Sequence, residues 1–565
     1  MIIGLDAATW DLIGPWAAEG HLPNLSKVVA EGVSGKLESA IPPLTPPAWT
    51  SFMTGLNPGK HGIFHFLENT PSAYAMRYSN ASSRRAPTLW QMLSDAGRTV
   101  GVINVPFTYP PEALNGFQIS GMDTPSEKSG FIYPPNLREE LERKFGKLIL
   151  ETRFLGFITN DKRRNQVLGG LESCDEQWLR IALYLMEHHP VDVLMCTFMS
   201  IDTVQHYFWH YMDDKHFQHD ASGARQYKDT IRKVYERLDR TVGRFSERLA
   251  GDCTVCVVSD HGGGPVPDRR VYLNRYLAQL GLLKYKNGAR AGFAHTRQKL
   301  IRKVYEMIRG SLTSAQKKWL ASNFPYLRTK FEDTYTSFSN IDWSATKAFC
   351  SEILAYPPSI SINLEGVHAE GIVRPSEYEE LRAFITQKLG ELRDPRDGSP
   401  VIPRVYRREE LFEGPFASEA PDLVLDWWSD KAFTTGISFP DEGDRPVLEI
   451  RPRKPMSQPE WSATHRPEGI LVMRGPNIRK NERIQGARII DVAPTLLYLL
   501  GEKIPSGLDG RILNDLFEPE FLLSQSAQGR ESSTAAALTK QEHATYTTEE
   551  AALVEERLKA LGYIE

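Results

Sequence analysis

Seven side chains in this 565-residue chain have the types and spacing of a reaction centre: Asp6, Thr45, Asp202, His206, Asp260, His261 and His465. Thr45 lies in the stretch Ile41–Phe66, IPPLTPPAWTSFMTGLNPGKHGIFHF. Pro46 and Pro47 follow it, and the apolar run Ala48–Met53 reads as the first turns of a helix. Proline suits the first helical position, because its missing N–H would be unpaired there anyway. Thr45 is therefore expected at a helix start, where backbone N–H groups and the helix dipole favour an anion such as phosphate. A hydroxyl in that place is a candidate nucleophile, and it needs something to take its proton.

The acidic and imidazole groups fall mostly after apolar strand-like runs. Asp6 ends Met1–Leu5. Asp202 and His206 follow Val191–Met199, and their four-residue spacing puts them on one face of a helix. Asp260 and His261 follow Cys253–Val258 in SDHGGG, whose glycines permit a sharp turn and close approach of other groups. His465, in SATHRPEGI, stands on the entering side of its strand and is expected to reach the others through a loop. Three carboxylates and three imidazoles form a borderline donor set that suits Zn²⁺, with Mn²⁺ or Fe as alternatives. Six such donors divide into two three-ligand sites with open positions, and two metals stabilise both attacking and leaving oxygens in phosphoryl transfer. A metal would also lower the pKa of the Thr45 hydroxyl. His61, His65, His210, His216 and His219 have no comparable partners and read as structural or surface residues.

The elements that must hold these groups alternate. Strand-like runs Gly35–Ala40, Thr99–Val105, Val191–Met199 and Cys253–Val258 are interleaved with helical patterns over Leu22–Glu31, Thr88–Ala96, Asp175–His188 and Gln226–Leu249. This predicts an α/β fold: a doubly wound, mainly parallel sheet with helices on both faces. Ligands in such sheets bind beyond the carboxyl ends of the strands. From about Gly262 the pattern becomes helical, over Tyr272–Leu283, Thr296–Arg309 and Thr313–Ser322. Lys284–Lys330 holds twelve Lys or Arg against one acidic residue, Glu306. It reads as an inserted helical cap that is solvated, or that faces an anionic substrate or an anionic membrane surface. Strand-like character returns at Ala348–Leu364, Asp422–Leu425 and Gly469–Arg474, with helices at Ser376–Leu389 and Asp491–Leu500. The expected organisation is a core over 1–265, a basic cap over 266–345, the rest of the core over 346–520, a linker over 521–547 and a final helix over 548–565.

Composition narrows the class. An apolar fraction of 41%, a charged fraction of 24% and a net charge of −4 describe an ordinary globular protein with no global pull toward nucleic acid, and no nucleic-acid-binding module is evident. Five cysteines without a framework fit a reducing compartment. Cys253 and Cys256 have CxxC spacing, but the apolar run around them reads as buried strand. No stretch of about 18 apolar residues occurs. The chain opens directly on a strand, so the expectation is a cytoplasmic protein, unless a targeting segment has been clipped.

The pattern resembles the alkaline phosphatase superfamily, most closely its type I phosphodiesterase/nucleotide pyrophosphatase branch. The residues that carry the resemblance are Gly4-Leu5-Asp6, Thr45 through TSFMTGLNPGKHGI, Asp202-x-x-x-His206, Ser259-Asp260-His261-Gly262 and Thr464-His465. The resemblance implies an alkaline-phosphatase-like fold and two divalent ions, zinc by preference and manganese as the alternative. Asp202, His206 and His465 would hold one ion. Asp6, Asp260 and His261 would hold the other, with Thr45 beside them. It further implies that Thr45 attacks phosphorus in a small-molecule phosphoester, that a phospho-threonine forms, and that water releases it. One departure stands out: the branch carries an asparagine three residues after the nucleophile, where this chain has Ala48. Asn104 and Lys60 are candidates to supply the missing phosphate contact. The alternatives are a phosphomonoesterase or phosphotransferase acting on a lipid-linked or sugar phosphate, and a non-catalytic member that binds anions or membrane.

Overall fold

The computed structural model describes every residue except 71–73, 151–159, 250, 287–337, 339, 353–356, 431, 440–444, 457–459, 527–545 and 562–565. Nine strands build the central sheet: β1 (Ile2–Leu5), β2 (Val33–Glu38), β3 (Val100–Val105), β4 (Gly116–Ser120), β5 (Ile132–Tyr133), β6 (Val193–Phe198), β7 (Val255–Val258), β8 (Glu468–Arg474) and β9 (Glu482–Arg488). Their order across the sheet is β9-β2-β8-β7-β1-β6-β3-β4-β5. Neighbours pair in parallel along most of it. β8 runs against both β2 and β7, and β5 runs against β4.

Side chains alternate between two buried cores. Ile3, Leu5, Leu194, Cys196, Phe198, Val255 and Val257 enter one. Ile2, Met195, Cys256, Val258, Leu471 and Met473 enter the other. A sheet covered on both faces needs apolar residues at every position, which is why its strands read as continuous apolar runs rather than as alternation. Helices Asp161–His188, Ser200–Met212 and Thr230–Arg248 pack on the first face, and Thr45–Thr54, Leu89–Asp95 and Val492–Leu499 on the second. The expected doubly wound sheet is present.

Several boundaries differ from expectation. The helix expected from Asp175 begins at Asp161, where the Asn160 side chain accepts from the Arg163 N–H as its cap. The Gly169-Gly170 pair looks like a break in sequence, but each glycine costs only about 1 kcal/mol in a helix that packing supports. The described part of 346–450, expected within the second part of the core, packs with Val271, Leu273, Leu277 and Leu283. Its strands Ala348–Phe349, Ser359–Ile362, Leu423–Leu425 and Val405–Arg407 form their own sheet around a third apolar core. These strands are as apolar as the central ones, so composition does not say which sheet they join. The stretches Thr296–Arg309 and Thr313–Ser322, expected as basic helices, lie outside the described residues, as does most of the linker; its beginning is helical, over Pro519–Ser526. The final helix, Thr548–Leu561, has the expected bounds and docks Val554 and Leu558 against Ile63, Phe66 and Phe107.

Cys256 is buried within β7, and burial pushes its thiol up to about 12, while Cys253 precedes the strand. A thiol held protonated is a poor metal ligand. No helix among the described residues is long and apolar enough to cross a membrane.

Candidate metal centre

The parallel strands deliver their functional groups to one edge. Asp6 follows β1, and its N–H bonds the Phe198 carbonyl at the end of β6, 3.0 Å away. Helix Ser200–Met212, with Asp202 and His206, starts just after β6. Asp260 and His261 come directly after β7 and Ser259. His465 arrives differently from expectation. Because β8 runs antiparallel, its entering end lies at the edge where its neighbours exit. His465 sits on the short strand Ala463–Arg466, paired with Gly262–Pro265 so that His465 faces Gly263. A two-stranded ladder, not a loop, therefore fixes it.

Two buried clusters result: Asp202, His206 and His465 in one, and Asp6, Asp260 and His261 in the other, with the ligand atoms of each within 4.8 Å of one another. In the first, Asp202 Oδ1 lies 3.1 Å from His206 Nε2 and 3.4 Å from His465 Nε2. In the second, His261 Nε2 lies 3.3 Å from Asp260 Oδ2 and 3.8 Å from Asp6 Oδ1. Asp6 Oδ1 and Asp260 Oδ2 are buried without a hydrogen-bond donor. The His261 and His465 rings stack at 3.8 Å, joining the two clusters.

The three imidazoles share one orientation. Nδ1 of His206 donates to the Ala463 carbonyl at 2.8 Å, Nδ1 of His261 to Gly262 at 3.0 Å and Nδ1 of His465 to Pro43 at 2.9 Å. A carbonyl only accepts, so each Nδ1 carries a proton and each ring turns its Nε2 inward. The Nε2 atoms of His206 and His465 are 3.1 Å apart. When both rings are neutral, two lone pairs face each other at that distance and repel unless a cation lies between them. This is the arrangement by which proteins fix metal-binding histidines.

Electrostatics agree. Burial drives the Asp6 carboxyl well above the usual range, and Asp260 and Asp202 push it further. Burial and then Asp202 raise Asp260 likewise. Burial and His465 hold the His261 imidazolium form far out of reach. Burial also opposes ionisation of Asp202, but the positive charge that His206 and His465 carry when protonated overcomes it and holds that carboxyl well below the usual range, as a bound cation would. Bound divalent cations would bring all three carboxylates to their ionised form.

Thr45 opens helix Thr45–Thr54, one residue earlier than expected, with Leu44 as its cap. Its Oγ1 lies 3.3 Å from His261 Nε2. Pro46 and Pro47 occupy the next two positions, and the Ala48 N–H is committed to the Leu44 carbonyl. The helix start thus presents few amide donors to an anion.

Both candidate phosphate contacts already have protein partners. Asn104, at a register shift near the end of β3 and with φ 57°, donates its amide to the Thr197 carbonyl at 2.9 Å. The Lys60 ammonium pairs with Asp509 and bonds the Gly507 carbonyl. His61, His65, His210 and His216 are buried rather than on the surface; His61, for example, bonds Ser51 Oγ at 3.0 Å. Sequence reasoning missed the groups that hold the ligands. Trp49 Nε1 donates to Asp6 Oδ2 at 2.8 Å, and Trp461 stacks on His206 at 3.7 Å. An indole carries no signal in the sequence that separates this work from core packing.

No curated protein sequence matches the chain. Among solved structures, phosphonoacetate hydrolase from Sinorhizobium meliloti is similar at 16% identity over 87% of this chain and 93% of that one, with a TM-score of 0.49. Human ectonucleotide pyrophosphatase/phosphodiesterase 5 is similar at 13% identity over 92% and 99%, TM-score 0.46. The inactive murine counterpart in complex with AMP is similar at 12% identity over 92% and 99%, TM-score 0.49. A family model, Type I phosphodiesterase / nucleotide pyrophosphatase, matches residues 1–438 and ends before His465. That match takes in most of the 565 residues, and the chain belongs to the type I phosphodiesterase/nucleotide pyrophosphatase family.

Proposed function

We propose that this protein is a two-metal phosphodiesterase that uses Thr45 as its nucleophile. The observation that carries the reading is the set of three imidazoles, each with Nδ1 tied to a carbonyl and Nε2 turned toward buried carboxylates beside Thr45 Oγ1. Asp202, His206 and His465 would hold one divalent cation, and Asp6, Asp260 and His261 the other. The nitrogen–oxygen donor set fits Zn²⁺, with Mn²⁺ as the alternative. Two such ions supply Lewis-acid charge to the attacking and leaving oxygens and favour the ionised hydroxyl.

Thr45 is buried and fixed at a helix start, so its Oγ1 is held in place for in-line attack on phosphorus. The ionised Oγ1, its proton given up to solvent, forms a bond to phosphorus, the bond to the leaving oxygen breaks, and the leaving group departs with the electron pair and takes a proton from solvent. Water then attacks the phospho-threonine, and Thr45 Oγ1 leaves in its turn. Two inversions give retention at phosphorus. Pro46, Pro47 and Ala48 contribute little to oxyanion binding, which puts that burden on the cations. Asn104, which keeps one amide hydrogen free of the Thr197 bond, is the candidate to add to it.

Parallel rates on bis-p-nitrophenyl phosphate and p-nitrophenyl phosphate test the reading. The diester is expected to turn over faster, and Thr45→Ala to lower the rate at least about 1,000-fold with both metals retained. Retained turnover in Thr45→Ala would assign the attack to water instead.

A further inference from the structure

One buried amide, on the helix of Asp202 and His206, touches the segments that follow Asp6 and His261. Gln205 lies on helix Ser200–Met212, between Asp202 and His206, and is 2% exposed. Its Nε2 donates to the Ala7 carbonyl at 2.8 Å. Ala7 directly follows Asp6, and its own N–H reaches Asp260 Oδ1 at 3.4 Å. Ala7 has φ 60°, a left-handed conformation that a residue with a Cβ adopts only where its surroundings impose it. The other end of the amide lies over Gly263, where a Cβ would collide with Gln205 Oε1. Gly263 is two residues beyond His261 and pairs with His465.

The amide therefore ties the helix of the first cluster to the Asp6–Ala7 turn and to the strand after His261 in the second. Gln205 Oε1 is buried without a donor. An aliphatic side chain of the same length would fill the space without an unsatisfied oxygen. What the amide adds is the bond to Ala7, and that bond spans the two clusters.

We infer that Gln205 is a positioning residue that sets the separation of the two metal sites and couples their filling. The inference rests on the two-metal reading above. An ion bound by Asp202, His206 and His465 fixes the helix; the helix fixes Gln205; Gln205 fixes Ala7 and, through it, the orientation of Asp6 and Asp260.

The test is a Mn²⁺ titration of the full, chelator-stripped chain, followed by electron paramagnetic resonance. The wild-type chain is expected to bind two Mn²⁺, the second about tenfold more tightly than the first, with a spin-coupled spectrum. Gln205→Met keeps the packing and removes the N–H. It is expected to bind both ions independently and to alter the coupled spectrum, while the metal-free unfolding midpoint stays at the wild-type value. Gly263→Ala displaces the amide from the other side and is expected to do the same; it carries the test if Gln205→Met does not fold. Wild-type coupling in a folded variant, or a lowered metal-free midpoint with unchanged coupling, overturns the inference. So does independent filling in the wild type. Fewer than two Mn²⁺ bound by the wild type overturns the two-metal reading itself, and this inference with it.

Discussion

Trp49 shows how a single side chain sets the chemistry of another. Its indole N–H holds Asp6 Oδ2 at 2.8 Å, leaving Oδ1 turned toward His261. The contact needs Gly4: a Cβ there would lie 2.9 Å from the Trp49 ring. Trp49→Phe keeps most of the buried ring and loses the donor. Metal affinity at the Asp6, Asp260 and His261 cluster is expected to fall about 10–100-fold, with the other cluster unchanged. Calorimetric titration with Zn²⁺ checks this, and equal affinity in the variant would show that Asp6 orients itself. At this scale the sequence is legible where a residue type is rare and its place is telling. Asp6, Asp202, His206, Asp260 and His261 stand directly after apolar runs, and few roles fit buried carboxylates and imidazoles there. Trp49 and Gln205 could not be read, because an indole or an amide inside a helix is ordinary packing until its partner 43 or 198 residues away is known.

The helix that carries Asp202 and His206 is anchored at its first residue. Ser200 Oγ donates to Asp175 Oδ2 at 2.7 Å, and Arg237 Nε donates to the same oxygen at 3.0 Å. Burial raises the Asp175 carboxyl, against the pull of Arg237. Three helices, Asp161–His188, Ser200–Met212 and Thr230–Arg248, thus meet at one buried carboxylate. Asp175→Ala leaves the guanidinium without its counter-charge and is expected to cost about 3 kcal/mol of stability, the lower end for a buried pair because Arg237 keeps some solvent contact. Urea unfolding measures it, and a loss under about 1 kcal/mol would mean that the helix needs no such anchor. Strand direction was the element-scale feature hidden in the sequence. Gly469–Arg474 reads as a strand with either polarity, and only its pairing with Val255–Val258 places its entering end, and so His465, at the shared edge.

The molecule joins a doubly wound sheet with two apolar cores to a second unit with its own core. The first was legible because apolar strands alternate with amphipathic helices; the second was not, because its short strands look the same as those of the main sheet. Glu352 ties this unit to helix Leu273–Gln279, accepting from Asn274 N–H at 2.7 Å, Ser438 N–H at 2.6 Å and Ser438 Oγ at 2.8 Å. Burial raises its carboxyl from 4.5 to about 7 despite these donors. Folding then favours the protonated form. The contribution is full below pH 4.5, the unfolded value, and declines until about pH 7. It amounts to roughly 3 kcal/mol, lost as pH rises through that window. In the metal-free chain, Glu352→Gln is expected to remove this slope from the unfolding free energy; an unchanged slope would assign it to other groups. All of these elements converge on two buried clusters, one of them beside Thr45, and the proposed function needs a divalent cation in each. The direct measurement is the metal-to-protein ratio of the full chain after zinc loading and removal of excess. Two zinc ions per chain are expected, falling to one in Asp260→Asn and in His465→Ala; a wild-type chain that retains none, or only one, would overturn the two-metal reading.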